Sequence, residues 1–116
     1  MYKKKIPFEI DCGVKIAMEI FGGKWKSCII LELSKKVMRP SELHKQFAEA
    51  SPRVIDRQLR ELEFYGIVEK KIYAKLPPHS EYKLTEVGES LLPIIYEVEK
   101  WGDNYRPTMK KLLNIP

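Results

Sequence analysis

Ser51-Pro52-Arg53-Val54-Ile55-Asp56-Arg57-Gln58-Leu59-Arg60-Glu61-Leu62-Glu63-Phe64-Tyr65-Gly66 is the stretch whose reading decides the fold. A serine hydroxyl can accept hydrogen bonds from the free amides at a helix start, and proline at the first helical position forfeits none. Gly66 suits the left-handed residue that closes a helix. Between these ends, Ile55, Leu59 and Leu62 recur at helical spacing and form one apolar stripe. At about 100° per residue, Arg53, Arg57 and Arg60 project from the other side. A row of guanidiniums on an outward helix face suits base edges and phosphate, whereas the plainer reading is a solvated polar face. Phe64 falls on the arginine side, and nothing in the sequence accounts for it.

Working outward, Ser41 to about Ala48 reads as a shorter helix, with Ser41 as its cap and Leu43 and Phe47 turned inward. The turn Glu49-Ala50 joins it to the arginine helix. A short helix, a turn of three or four residues and a second helix have the spacing of a helix-turn-helix, here over about 41–65. After Gly66, Ile67–Tyr73 and Glu81–Leu84 are β-biased and frame a hairpin over about 67–84, the wing. Pro77-Pro78 is expected to hold its tip extended and stiff.

Residues 1–11, with Lys3, Lys4, Lys5 and Pro7, read as a loose arm. Gly13–Phe21 has a helical pattern, with Val14, Ala17, Met18 and Phe21 on one face and Ile16 and Ile20 as a second apolar edge. Gly22-Gly23 ends it. Lys24–Leu33 reads as the next helix, with Trp25, Cys28, Ile29 and Leu33 inward. Ser34–Arg39 is a loop with a short extended piece at Val37-Met38. Thr85 caps the last long helix, over about 86–106, with Val87, Leu91, Ile94, Val98, Trp101 and Tyr105 at spacings of three and four, and Leu92 and Ile95 as a second stripe. Pro93 should kink or break it, and Pro107 should break it again. The two terminal helices carry more apolar surface than one core requires, which points to a dimer interface.

The totals fit one soluble domain spanning 1–116, mainly α with a small β-hairpin. No apolar run reaches the roughly 20 residues that span a bilayer, and the basic start lacks the apolar region of a signal peptide. A cytoplasmic protein is the expectation. Net charge is +5, and its location says more than its size. Residues 1–38 hold eight basic and four acidic groups, 39–84 nine and seven, and 85–116 four and five. A phosphate-facing side and a separate neutral side follow. Cys12 and Cys28 make neither a disulfide framework nor a zinc spacing, and with only His44 and His79 a metal site is thin. Gly22-Gly23-Lys24 is no nucleotide loop, because Trp25 stands where Ser or Thr is needed. No cofactor, nucleophile–base pair or phosphate loop is implied, so the chain does not read as an enzyme.

Gly22-Gly23-Lys24-Trp25, then Leu59-Arg60-Glu61-Leu62-Glu63 with Gly66-Ile67-Val68, then Pro77-Pro78 with Glu81-Tyr82-Lys83-Leu84-Thr85 and Gly88, closing on Trp101-Gly102, resemble the HxlR family. These are bacterial winged helix-turn-helix transcriptional regulators related to the MarR type. The resemblance runs from about Cys12 to Gly102 with the motifs in order. It implies a winged helix-turn-helix with added N- and C-terminal dimerisation helices, about 13–21 and 86–106, acting as a homodimer on inverted-repeat operator DNA. It also implies a response to oxidants or electrophiles, since several relatives sense them through one cysteine near the start of the first helix, the position of Cys12. The chain departs from the family pattern at three places: Gly13 stands where proline usually follows that cysteine, His79 where the wing carries arginine, and Phe64-Tyr65 where acidic residues precede the glycine.

On this reading Arg53 and Arg57 make base contacts, and Arg60, Lys75 and Lys45 meet phosphate. Ser41 and Ser51 offer hydroxyls or helix-end amides to phosphate or serve only as caps. His79, mostly neutral at pH 7, makes a weaker, pH-sensitive wing contact. Asp56 accepts from cytosine or, more simply, holds a neighbouring arginine. At Cys12 the helix dipole and Lys15 favour the thiolate while Asp11 opposes it, so the residues alone allow a sensor or an inert thiol. Cys28 reads as a buried small hydrophobe, and Trp25 and Trp101 as core or as the lining of a small-molecule effector pocket. The rival class is a winged-helix protein–protein interaction module whose arginines only solubilise it.

Overall fold

The computed structural model describes residues 10–116. Six helices and one hairpin follow in the order α1 (Gly13–Phe21), α2 (Lys26–Lys35), α3 (Pro40–Gln46), α4 (Pro52–Phe64), β1 (Val68–Tyr73), β2 (His79–Leu84), α5 (Glu86–Ser90) and α6 (Leu92–Leu113). The expected basic arm at Lys3 to Lys5 lies outside the described residues.

The core forms where α2, α3 and α4 meet the hairpin. Ile29, Ile30, Leu43, Ile55, Leu59 and Leu62 are fully buried, joined by Phe21, Leu33, Met38, Phe47, Ile67, Val68, Tyr82, Leu84 and Ile95. Burying each such side chain is worth about 1.5–3 kcal/mol, so the underside of α4 is its fixed face. Both ends of α4 are closed as its sequence indicates. Val54 N donates to Ser51 Oγ at 3.2 Å. At the other end Gly66 has φ +74°, and Ile67 N donates to Leu62 O at 2.9 Å, closing the helix with a left-handed turn.

β1 and β2 pair antiparallel from Val68↔Leu84 to Tyr73↔His79, so β2 starts two residues earlier than the sequence suggests. The extended piece at Val37-Met38 becomes a bridge: Met38 N donates to Tyr82 O at 3.1 Å and Tyr82 N to Met38 O at 2.8 Å. The wing is thereby tied to the loop that leads into the helix-turn-helix. The tip bends at 75–77 rather than running extended, and Leu76–Pro77 is cis.

Several expectations are corrected. Ser41 is not a cap; Arg39 holds the N-cap position, Pro40 opens α3, and the Arg39 amide donates to Glu42 Oε1 at 2.8 Å. The long last helix is two helices. Thr85 caps only α5, where Gly88 N donates to its Oγ1 at 3.0 Å, and α6 restarts with Pro93 in its first turn. Pro107 does not end α6, which continues to Leu113. Its missing amide removes one hydrogen bond, and the flanking turns carry the helix through. Cys28 is exposed, because α2 turns Lys26, Ile29, Ile30 and Leu33 inward instead. Trp25 packs edge-on to Phe47 at 6.0 Å, but Trp101 lies on the surface, stacked on Tyr105 at 5.1 Å.

Among the described residues Lys26 is the one buried lysine, and sequence reasoning missed it. Its Nζ sits 2.6 Å from Glu61 Oε2 and donates to Glu19 O at 3.2 Å, while Tyr65 Oη donates to Glu19 Oε2 at 3.1 Å. These bonds tie α1, α2 and α4 together below the arginine face. Lys26→Ala, which strands Glu61, is expected to cost about 3–5 kcal/mol in urea unfolding, and Lys26→Met with Glu61→Leu to recover most of it. Ser51→Ala should cost about 1 kcal/mol through loss of the cap. Ser41→Ala, with no cap to lose, should leave the midpoint within error.

Candidate nucleic-acid interface

α4 is apolar below and cationic above. Arg53, Arg57 and Arg60 are all exposed, and none forms an ion pair among the described residues. The helix cannot roll to hide them, because Ile55, Leu59 and Leu62 are wholly enclosed beneath. Phe64, at the far end of that face, is half-exposed and meets Tyr65 edge-on at 5.4 Å.

α3 lies in front of α4 and presents Ser41 and Lys45 to solvent. Its start is a small charge cluster. The Arg39 amide, with nearby Lys36 and the Arg39 side chain assisting, holds the Glu42 carboxyl below its ordinary value. Ser51 is exposed as well as capping, so its hydroxyl borders the same surface.

Asp56 does not hold an arginine. Its Oδ1 lies 2.7 Å from His44 Nε2, with both side chains partly exposed, so the pair bridges the two helices of the helix-turn-helix. The sequence shows no periodic signal for this contact, since His44 and Asp56 lie on different helices.

The wing adds a second cationic surface. Lys70 lies over the Tyr82 ring at 5.9 Å and Lys71 over Tyr73 at 5.1 Å. Lys75 and Leu76 stand exposed at the tip. His79 is built into the wing: its ring stacks on Tyr73 at 4.7 Å, Nδ1 lies 3.2 Å from Pro77 O and Nε2 3.8 Å from Glu81 Oε2. At the wing base the buried Tyr82 phenol is pushed above its ordinary pKa, first by burial and then by the carboxylates of Glu63 and Asp56, with Arg60 opposing. Glu63, Asp56 and Arg60 of α4 therefore all act on the wing base.

Cys12 is exposed at the N-cap of α1, where its carbonyl accepts from Ile16 N at 3.1 Å and its side chain makes no cap. Lys15 stands one turn along α1. Among the described residues no group of three or more His, Cys, Asp or Glu could hold a metal ion, and no helix is long and apolar enough to cross a membrane.

Comparison with known proteins agrees with this architecture. The HxlR-like helix-turn-helix family model matches residues 20–110. The HTH-type transcriptional regulator YdeP of Bacillus subtilis is 37% identical over 101 residues, covering 87% of this chain and 79% of that protein. An HTH-type transcriptional regulator of Methanothermobacter thermautotrophicus is 38% identical over 97 residues, covering 84% of this chain and 74% of that one. The redox regulator HypR in its reduced form superposes with a TM-score of 0.81 at 33% identity, covering 86% of this chain and 99% of that one. With its winged helix-turn-helix and regulator relatives, the chain belongs to the HxlR-like helix-turn-helix family of transcriptional regulators, not to a family of enzymes.

Proposed function

We propose that this regulator binds duplex DNA as a homodimer on an inverted repeat, with one α4 in each of two successive major grooves. One observation carries this reading: three guanidiniums stand exposed and unpaired on a helix whose other face is locked into the core. Arg53 and Arg57 lie toward the amino end of α4, which enters a major groove first, and take base edges. Arg60, Lys45 and Lys75 take phosphate, as do the Ser41 and Ser51 hydroxyls. His79 contributes by shaping the tip that carries Lys75. A regulator acting on chromosomal operators works in the cytoplasm.

The terminal helices support the second copy. Val14 and Met18 of α1 and Ile94, Val98, Trp101 and Leu112 of α6 are all exposed in the single chain. Apolar surface on that scale, arranged along two helices, fits an isologous interface. The groove-to-groove distance such a dimer must match is roughly 34 Å.

Cys12 supports a response to oxidants: it is exposed at a helix start, and HypR, a redox regulator solved in reduced and oxidised forms, shares this fold. Oxidation of the Cys12 thiol then alters the dimer through α1, and with it the spacing of the two α4 helices.

Selection of bound duplexes from a random pool, reduced and oxidised, tests all three parts. A palindromic site is expected, with affinity falling steeply as salt is added. Arg57→Ala should weaken the selected duplex by about 1–3 kcal/mol and relax one base position in each half-site. Recovery of no preferred duplex, or a salt-independent interaction, rejects DNA reading. The oxidant effect should vanish in Cys12→Ser; an unchanged response there removes the sensor role. Light scattering should give twice the chain mass, and Trp101→Glu should shift it toward the monomer.

A further inference from the structure

Asp56 sits three residues after Arg53 and four before Arg60 on the same helix. Those are the spacings at which an aspartate and an arginine ordinarily pair on a helix surface. Neither pair forms. Asp56 instead reaches across to α3 and lies 2.7 Å from His44 Nε2. Asp56 and Arg60 act on the same wing tyrosine, Tyr82, with opposite sign, so carboxylate and guanidinium share one neighbourhood. A free Asp56 therefore has two cationic partners within helical reach, and both are groups assigned above to DNA.

We infer that His44 is a positioning residue for DNA recognition: by sequestering Asp56, it keeps Arg53 and Arg60 unpaired and available to the duplex. The inference rests on the DNA-reading role of α4 proposed above. The geometry explains why a carboxylate is tolerated on a face meant for a polyanion. Held by His44, it pairs with neither arginine and becomes a strap between the helices. Released, it competes with guanine and phosphate for the same guanidiniums. Lys45 is the neighbour of His44 on α3, and Asp56 is its partner from α4.

The consequence is a specific pattern of epistasis. Binding is read by fluorescence anisotropy on the duplex selected with the wild-type protein. His44→Ala is expected to weaken it about twofold, the effect of one helix-surface ion pair formed in competition. Asp56→Asn alone should bind as tightly as wild type or tighter. In the double variant, Asp56→Asn should restore affinity to that of Asp56→Asn alone, within the error of replicate titrations. A strap that served only stability gives the opposite result, with both single variants weakened and the double no better than the worse of them. A histidine that itself touched phosphate gives a double variant as weak as His44→Ala, with a shallower salt dependence. Either outcome overturns the inference.

A second measurement needs no DNA. Arginine side-chain NMR of the free protein should show the Nε–Cζ rotation of Arg53 or Arg60 slowed in His44→Ala and released again in the double variant. Unchanged rotation in His44→Ala overturns the inference even if no duplex is ever selected. Failure to select any duplex rejects the DNA-reading proposal instead.

Discussion

A helix can offer charge to a polyanion in a fixed direction only if its opposite face is immobile. Here that constraint is met by the enclosure of Ile55, Leu59 and Leu62 and by the Lys26–Glu61 bridge below them. The bridge is unusual in kind: taking two ions out of water is costly, and a well-packed apolar pair would be at least as stable. An ion pair has direction, however, and this one joins α2 to α4 while Lys26 also bonds the Glu19 carbonyl at the end of α1. It locks the register of α4 against the N-terminal helix. In a dimer built on α1, any change at α1 is thereby coupled to α4.

The wing follows the same logic at lower cost. A two-stranded hairpin is marginal alone, and this one gains a third line of hydrogen bonds from Met38 and a buried tyrosine at its base. At the turn into α5, a Cβ on Gly88 would lie 2.1 Å from Ile67 O, so only glycine allows α5 to close over the start of β1. The hairpin is thus held from beneath at its base, and its cationic tip projects.

What was legible in the sequence is what local periodicity and punctuation can carry. The α4 stripe, its serine cap, its closing glycine, the hairpin and the glycine break after α1 all depend on residues within a few positions of one another. What was not legible depends on contacts between distant segments. Lys26 was not singled out because no short-range pattern marks a buried lysine; its burial depends on Glu61, on another helix, and on the Glu19 carbonyl. Asp56 read as a partner for its own helix because i,i+4 spacing is visible and His44 is not. The last helix failed differently. Two apolar stripes were evident, but periodicity cannot say which one the chain's own core will cover. The core takes Leu92 and Ile95, leaving Ile94, Val98 and Trp101 uncovered.

That uncovered stripe makes a single copy an incomplete object. Beyond Ile95 no residue of α6 is buried, yet the helix runs 22 residues, about 33 Å at 1.5 Å per residue. An isolated helix of that length is only weakly stable in water, and Pro107 weakens it further. Its persistence calls for a surface to lie on, and in the homodimer proposed above that surface is the same helix in a second copy. Such a pairing would set the distance between the two α4 helices without either touching the other. On that proposal, a small displacement anywhere along α1 or α6 would move the two arginine faces relative to grooves whose spacing the DNA fixes. The exposed thiol of Cys12, at the start of α1, stands at the end of that lever.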